Sequence, residues 1–551
     1  MVTQPFALRT LHLSGSDREI GRQHGEALGE CVGQGMIAFY RGVVGRLLSR
    51  SQPVLRPALN SLFVNPWLRR MPSESATQRI QGLAEVSGIP EGDLRLALVL
   101  PDVGPLLQGA LGKWFPSLYA DLSQIRLGCS SFMASGERFL VGRNLDFPGV
   151  GYWDRFPVIQ CVTPKQGLRA IHFTTAGVPI GGITGINEAQ IFVAIHQHYC
   201  RTYSLSGTLP FLIGERILNE ARSLKDAQEI LQSARLSNGW AFILADGKTR
   251  ESLVWEASPN THAVLQPQGG VLAHANAFQS TACRGEEYAT TAQMAWDNQA
   301  RRQRLEALVR KAGPGLTPAQ ACAAISDHWD GFWEEEKVVN RTVSMGLNVQ
   351  SVVVDPERME AWVATGETPV HLREYQKVDL AALFAGQSGL AEERLPGFRF
   401  SDPRQAAAKE AYVGGFGAWL DGDREKARLC AEASLQSWMT PEIALTAAIC
   451  RLQMGEFSQA ADVLEAAAGW MESRLEDRSE RPPEYFENRL YRGRVCDLLG
   501  KREEAKAHYA AVASAPGLQD AHVRRIAQRA RRFSARQLRF AMPFSSYAPF
   551  F

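Results

Sequence analysis

The run Gly128-Cys129-Ser130-Ser131-Phe132, followed by Gly142-Arg143-Asn144-Leu145-Asp146-Phe147, carries the residue types that thiol chemistry needs. The thiolate is the nucleophilic form of cysteine, and a cation beside the thiol lowers its pKa and raises the thiolate fraction. A lone Gly-Cys says little, because buried thiols are among the commonest core residues. Position adds weight here. Apolar β-formers flank the turn signal Ser135-Gly136, so the sequence predicts strand, tight turn, strand. Cys129 heads the first strand, and the return strand carries Arg143 and Asp146 back alongside it. The plainer readings are a packing thiol for Cys129 and a turn or cap role for Asp146, which precedes Phe147-Pro148.

Other reactive types are less pointed. His196 and His198 alternate on one strand face without a third ligand at metal spacing, and read as core or pocket lining. His24 reads as a packed interior histidine on its helix. Arg301 and Arg304 lie on a helical run and read as solvated. A conventional Cys-His protease would pair Cys129 with His274. Nine cysteines, an odd and scattered set with no C-x-x-C pair, indicate neither a disulfide framework nor a structural metal. No cofactor is implied.

The elements that must position these residues change character along the chain. Residues 1–127 read as mostly helical, with three-and-four apolar spacing over 17–32 and 74–83, a proline-punctuated stretch over 101–116 and a helix over 118–126. From Gly128 the pattern predicts strands over 131–134, 138–143, 158–162, 170–174, 191–195, 240–244, 252–256, 271–275, 350–354 and 360–365. Helices interrupt them over 210–219, 224–234, 298–312 and 318–327. Blocks of strands and helices, rather than strict alternation, argue an α+β or layered sheet-and-helix domain, ending near Leu380.

After Ala385-Gly-Gln-Ser-Gly389, which reads as a linker, the pattern is helical to the end. Leu420-Asp-Gly422 with Ala427, Met454-Gly455 with Ala460, and Leu499-Gly500 with Ala505 share one signature. The glycines lie about 33 and then about 45 residues apart, against a tetratricopeptide period of about 34. Glycine permits the tight turn between antiparallel helices, and the following alanine lets them approach closely. An irregular helical bundle is the plainer alternative.

Lys plus Arg is 60 and Asp plus Glu is 58, so the net +2 gives no global field for nucleic acid or an anionic membrane. That total hides a local feature. Residues 524–539 hold seven arginines and no acid, which reads as a solvated helix face, or a contact for an acidic partner or membrane surface. An aromatic tail follows over 540–551. No signal-peptide pattern and no long apolar run are visible, so the expectation is a cytoplasmic protein without a transmembrane segment.

Taken in order, several motifs resemble the cysteine-type N-terminal nucleophile (Ntn) hydrolases of the acyl-coenzyme A:6-aminopenicillanate acyltransferase group. Bile-salt hydrolases and acid-ceramidase-like amidases are more distant relatives. The matches are Gly15-Ser-Asp-Arg-Glu-Ile-Gly21-Arg-Gln-His-Gly25, Gly128-Cys129 with Gly142-Arg143-Asn144-Leu145-Asp146, Gly185-Ile-Asn187-Glu188, His274-Ala-Asn276, and Asn340-Arg341-Thr342 leading to Ser351-Val-Val-Val-Asp355 and Ala364-Thr-Gly366-Glu-Thr-Pro369.

The resemblance implies a four-layer αββα sandwich made as a precursor, in which Cys129 attacks the Gly128 carbonyl and becomes a new N-terminus. The free α-amino group, with a pKa of about 7.7 to 8.0, then serves as general base for its own thiol. By the same resemblance Asp146 orients that amine, Asn276 and less strongly Asn187 serve the oxyanion, and Arg143 and Arg341 steady the nucleophile and oxyanion or bind a substrate carboxylate. Where relatives often carry Asn-His, this chain has Asn276-Ala277. The implied organisation is a leading segment 1–128, a core 129–384, a linker 385–405, tetratricopeptide-like repeats 406–535 and a tail 536–551.

The resulting expectation is a self-processing cysteine amidohydrolase or acyltransferase for a small, non-peptide acylated amide, its helical repeats open to a protein partner. The competing reading is a catalytically silent sandwich that carries the repeats as a binding scaffold.

Overall fold

The protein is described by a computed structural model over residues 4–44, 73–98, 102, 128–204, 206–287, 292–515 and 521–535. The expected helix 118–126, the stretch 101–116 apart from Asp102, and the tail 536–551 with Arg536 and Arg539 lie outside the described residues.

Two sheets dominate. The first runs β1(Arg9–Gly15), β4(Pro157–Pro164), β5(Ala170–Thr175), β6(Thr184–Asn187), β7(Ile191–Gln197), β8(Trp240–Asp246), β9(Glu251–Ala257), β10(His262–Leu265). The second runs β11(Val271–His274), β2(Gly128–Ser135), β3(Phe139–Asp146), β14(Asn348–Asp355), β15(Glu360–Ala364), β16(Tyr375–Asp379), β17(Leu390–Leu395). A small ribbon pairs β12(Trp329–Asp330) with β13(Glu335–Glu336).

Successive strand side chains face opposite ways, and the core follows that alternation. Met133, Val141, Val352 and Val354 of the second sheet meet Ile159, Ile171, Phe192 and Ile243 of the first. The first sheet's other face is covered by α1(Asp17–Leu28), α2(Glu74–Ser87), α3(Pro210–Glu220) and α4(Leu224–Ser233), through Leu28, Ile80, Ile217 and Ile230. The second sheet's other face is covered by α5(Ala292–Ala312) and α6(Pro318–Ile325), through Leu305, Val309 and Ile325. Each such side chain is worth about 1.5–3 kcal/mol on burial, and none of the three layers is closed by one element alone.

The leading segment is locked to this body. Ser16 and Glu19 form a capping box at the start of α1. α1 and α2 cross so closely that a Cβ on Gly21 would strike the backbone of Arg79. Buried Arg79 in turn pairs with Asp17 at 2.7 Å and Glu215 of α3 at 2.5 Å. His24 is interior, as its helix face suggested, and accepts from the Gly177 N–H at 3.1 Å.

Two expectations need correction. The leading segment is not only helical: Arg9–Gly15 forms β1, parallel to β4, because Leu11 and Leu13 alternate with polar residues at strand period. Within the expected linker 385–405, Leu390–Leu395 is an edge strand paired with β16, so the sheet extends past Leu380. Its exposed Glu392 and Glu393 suit an edge.

Seven further helices follow: α7(Pro403–Asp421), α8(Arg424–Ser437), α9(Pro441–Met454), α10(Phe457–Leu475), α11(Pro483–Leu498), α12(Arg502–Ser514) and α13(Ala521–Arg532), each packed on the next. Gly422, Gly455 and Gly500 close three of the turns at φ of 83°, 84° and 84°, a region costly for other residues. Ala427, Ala460 and Ala505 are buried where the paired helices meet. No helix among the described residues is long and apolar enough to cross a membrane.

This helical unit is seated on the sheets. Ala408, Tyr412 and Phe416 of α7 share one apolar cluster with Cys129, Leu145 and Phe147. Beside that cluster lies a buried ionic one, in which Arg341 pairs with Asp330 at 2.9 Å and Glu484 at 2.7 Å, while Lys337 pairs with Glu442 and, at 3.4 Å, Asp330.

Candidate active site

The β2–β3 hairpin does what the sequence asked of it. Gly128 stands opposite Asp146, and Ser131 opposite Arg143, in an antiparallel register without bulges. Cys129 is buried. Its Sγ lies 3.8 Å from Arg143 Nη2 and 3.9 Å from the Ile195 carbonyl, which Arg143 Nη2 also reaches at 3.4 Å. Burial pushes the Cys129 thiol up, against the opposing fields of Arg143 and Arg301.

The backbone at Cys129 is gripped from both sides. Its N–H donates to Asn276 Oδ1 at 2.6 Å, and its carbonyl accepts from Arg301 Nη1 at 2.7 Å. Asn276 Nδ2 donates to the Gln197 carbonyl at 2.9 Å, so the amide is fixed in orientation. Arg301 is itself held by Asp297, one helical turn away at 2.7 Å, and by Asn298. Asp297 also accepts from the Arg341 backbone N–H at 2.8 Å.

Asp146 accepts from Asn348 Nδ2 at 3.0 Å through Oδ1, whereas its buried Oδ2 has no hydrogen-bond partner. Burial pushes this carboxyl up to about 6, with Arg301 and Asn348 pulling the other way. Its side chain abuts the glycine before Cys129: a Cβ on Gly128 would lie 3.0 Å from Asp146 Cβ and 2.8 Å from Met345 Sδ. Only glycine fits that approach without displacing a neighbour.

Cys129 and Arg143 open onto an apolar pocket walled by Met36, Leu94, Phe147, Ile180, Phe211 and Trp240 among others. A site with this lining suits a ligand with an apolar group and few polar atoms. Among the described residues no three His, Cys, Asp or Glu side chains converge as a metal site requires.

Of the residues singled out in the sequence, Cys129, Arg143, Asp146 and Asn276 come together. Two do not. Asn187 spends its side chain on a local staple, donating to the Leu218 and Ala221 carbonyls and accepting from the Ala189 and Ile191 N–H groups. The Arg341 guanidinium turns away to Asp330 and Glu484, because two carboxylates buried between core and helical unit need a cation there.

Arg301 was read as solvated and is instead buried on the Cys129 carbonyl. The signal available was its spacing of four from Asp297, which neutralises an arginine facing inward. Arg304 is the partly exposed member of the pair, bound to Asp327 at 2.8 Å.

His196 and His274 are bound to other groups, whereas neither ring nitrogen of buried His198 has a hydrogen-bond partner. Ser131 Oγ meets His196 Nε2 at 2.8 Å, His196 Nδ1 meets His274 Nδ1 at 3.3 Å, and His274 Nε2 meets Glu256 at 3.0 Å. His274 is thus bound to Glu256 and His196 rather than to Cys129, which removes the conventional Cys-His pairing.

Residues 133–368 match the family model described as acyl-coenzyme A:6-aminopenicillanic acid acyl-transferase. No curated protein matches the chain in sequence. Among solved structures, an N-acylethanolamine-hydrolyzing acid amidase ortholog from Caenorhabditis elegans is similar at 15% identity and a TM-score of 0.31, over 42% of this chain and 93% of that one. A variant of the conjugated bile acid hydrolase from Clostridium perfringens is similar at 14% identity and a TM-score of 0.30, over 50% and 97%. A second variant of that hydrolase gives 12% and 0.29, over 50% and 99%. The family match begins four residues after Cys129, so Gly128 and Cys129 lie outside it, while Arg143, Asp146, Asn276 and Arg301 lie in the part of the chain similar to this acyl-transferase family.

Proposed function

We propose that the chain is a self-processing cysteine amidohydrolase or acyltransferase, which cleaves or transfers the acyl group of a non-peptide amide through a thioester on Cys129. One observation carries this reading. A buried carboxylate oxygen of Asp146, without a hydrogen-bond partner, stands beside the Gly128–Cys129 linkage, where rupture of the peptide bond creates an ammonium group. The family similarity over residues 133–368 supports the same chemistry.

In processing, Cys129 Sγ attacks the Gly128 carbonyl carbon, the C–N bond breaks, and the thiol proton passes to the departing Cys129 nitrogen. Water then hydrolyses the thioester, leaving a Gly128 carboxylate and a free N-terminal cysteine. In turnover, the α-amine takes the thiol proton, the thiolate attacks the substrate amide, and the proton returns to the leaving amine. The acyl group stays on sulfur until water or an amine takes it. Arg143 favours the thiolate, and the second N–H of the Asn276 amide is available to the oxyanion, a role worth about 2.7–4 kcal/mol for a preorganised donor. The apolar pocket suits an apolar acyl group without a distal charge.

On this reading, the two facing sheets with helices outside both are the four-layer αββα sandwich. The stacked pairs after Pro403 are tetratricopeptide-like, which the three repeated glycine turns support.

Intact-mass measurement of purified protein and of Cys129→Ala tests the proposal. The native protein is expected as fragments 1–128 and 129–551, and the variant as one chain. A native chain that stays whole, or a variant cut at the same bond, overturns it. Turnover of decanoyl p-nitroanilide by the native protein but not by Cys129→Ala separates an enzyme from a silent scaffold, and products formed with added amine separate transfer from hydrolysis.

A further inference from the structure

A continuous run of hydrogen bonds joins the first turn of α11, in the helical unit, to the backbone of Cys129. It starts at buried Glu484, whose two carboxylate oxygens accept from Arg341 Nη1 at 2.8 Å and Nη2 at 2.7 Å. Trp333 Nε1 fixes the same carboxylate at 3.0 Å, and Asp330 accepts from Arg341 Nε at 2.9 Å. The Arg341 backbone N–H then donates to Asp297 Oδ1 at 2.8 Å, and Asp297 Oδ2 accepts from Arg301 Nε at 2.7 Å. Arg301 Nη1 closes the run, donating to the Cys129 carbonyl at 2.7 Å and to Ser130 Oγ at 3.0 Å. Its Nη2 reaches Asn276 Oδ1 at 3.3 Å, the atom that also accepts from the Cys129 N–H.

Two features give this run a direction. Asn340 and Arg341 take φ of 61° and 52°, a left-handed backbone that residues other than glycine hold only where their surroundings impose it. The forked grip of Glu484 on the Arg341 guanidinium supplies that restraint, and the restrained backbone aims the Arg341 N–H at Asp297. Asp297 in turn divides its two oxygens between Arg341 and Arg301, so the plane it presents to Arg301 is set by Arg341. Cys129 is where this support matters. Once Gly128 departs, residue 129 heads its strand, and chain ends fray unless they are tied down. Arg301 is the tie on the Cys129 carbonyl.

We infer that Glu484 is a positioning residue of the catalytic centre, acting through Arg341, Asp297 and Arg301 to hold the backbone of Cys129. The helical unit is then a working part of the site rather than only a surface for partners. This rests on the reading of Cys129 as a self-freed N-terminal nucleophile.

A double-mutant cycle tests it, with kcat and KM on decanoyl p-nitroanilide measured for the processed full-length protein, Glu484→Gln, Arg301→Lys and the double variant. Lysine keeps the charge of Arg301 but lacks the fork that spans Asp297 and the Cys129 carbonyl. Each single change is expected to lower kcat about tenfold, with KM within about twofold of native, because the run touches none of the apolar pocket wall. In the Arg301→Lys background, Glu484→Gln should lower kcat no further, although thermal unfolding still shows the weakened seam. A role in docking alone would give equal losses of kcat in both backgrounds, and that result overturns the inference. Native kcat in folded Glu484→Gln or in Arg301→Lys overturns it as well. Glu484→Asp keeps the charge and shortens its reach. It is read in the same cycle and carries the test if Glu484→Gln does not fold. A native chain that is neither cut nor active in a Cys129-dependent way is a different result: it removes the underlying reading and this inference with it.

Discussion

Two buried ionic clusters lie within one wall of each other in this molecule, and they are built on opposite rules. At the seam with the helical unit, Arg341 and Lys337 face Asp330, Glu442 and Glu484, and the Arg341 guanidinium reaches both Asp330 and Glu484, while Glu442 Oε2 is left without a hydrogen-bond partner. At the hairpin, by contrast, Asp146 keeps one carboxylate oxygen without a partner and Arg143 keeps its Nε without one. The electrostatics follow. Burial alone raises a carboxyl, yet Arg341 holds Glu484 down at about 2, whereas burial prevails at Asp146 and takes it to about 6. A cluster whose carboxylates are each ion-paired fixes a structure. A carboxylate without a direct ion pair keeps charge and hydrogen-bonding capacity in hand.

The comparison is broken most severely at the seam. Arg341→Met leaves Asp330 and Glu484 buried without their shared cation, and removal of one member of a buried ionic set typically costs about 3–5 kcal/mol. Urea unfolding of the Cys129→Ala chain with and without Arg341→Met reads the loss directly. Equal midpoints would show that the seam's ion pairs do not hold the two parts together. Changing the whole set to apolar residues should cost far less than the single change, because no charge is then stranded.

At the hairpin the matching change strikes chemistry. Asn276→Ala removes the acceptor of the Cys129 N–H and the candidate oxyanion donor together. Cleavage at Gly128–Cys129 is expected to slow by about 10²–10³-fold, measured as the appearance of the 129–551 fragment by mass. A rate within threefold of native would place the oxyanion elsewhere.

Glu484 of the seam and Asp146 of the hairpin titrate with opposite sign. Glu484 sits below its ordinary value of 4.5, so it contributes stability above that pH and loses it as pH falls toward 2. Asp146 sits above its ordinary value of 3.8, so its folded form binds the proton more tightly. That favours the native chain at low pH, and the advantage is lost as pH rises through about 6. In the uncut Cys129→Ala chain, Asp146→Asn is therefore expected to raise stability above pH 6, by on the order of 2 kcal/mol, and to change nothing below pH 4. Melting temperatures across pH 4–8 check it. A destabilising Asp146→Asn at pH 7.5 would mean that the carboxylate is already paired in the uncut chain.

What the sequence disclosed follows from how local the relevant interaction is. The hairpin was legible because its turn signal and alternating pattern fix the register, and the register alone puts Asp146 opposite Gly128 and Arg143 two pairs from Cys129. The strand β1 was overlooked because a short alternating run directly ahead of a helix is weak against a helical neighbourhood. Arg341 was misplaced for the converse reason. Its partner Glu484 is 143 residues downstream, and no spacing rule connects a loop arginine to a helix in another unit. Asn187 looked like a donor and proved a staple, since a strand-end asparagine is as useful to its own turn as to a substrate.

Arg301 and Arg304 sharpen the comparison at its faintest end, since they lie three apart on α5, where sequence reads them alike. Arg301 is buried on the Cys129 carbonyl. Arg304 holds Asp327 through two hydrogen bonds, at 2.8 and 2.9 Å, with about a third of its side chain in solvent. Solvent screens such a pair, and exposed ion pairs are usually worth about 0–1 kcal/mol. Arg304→Gln should therefore leave cleavage and turnover unchanged and lower stability by no more than about 1 kcal/mol, on the same urea curves and mass assay. Asp327 also caps its own turn through the Trp329 N–H, so it stays fixed without the arginine. A large loss of cleavage in Arg304→Gln would mean that α5 acts on the site as a rigid unit, with its charge shared along the helix rather than concentrated in the one arginine that touches the nucleophile's backbone.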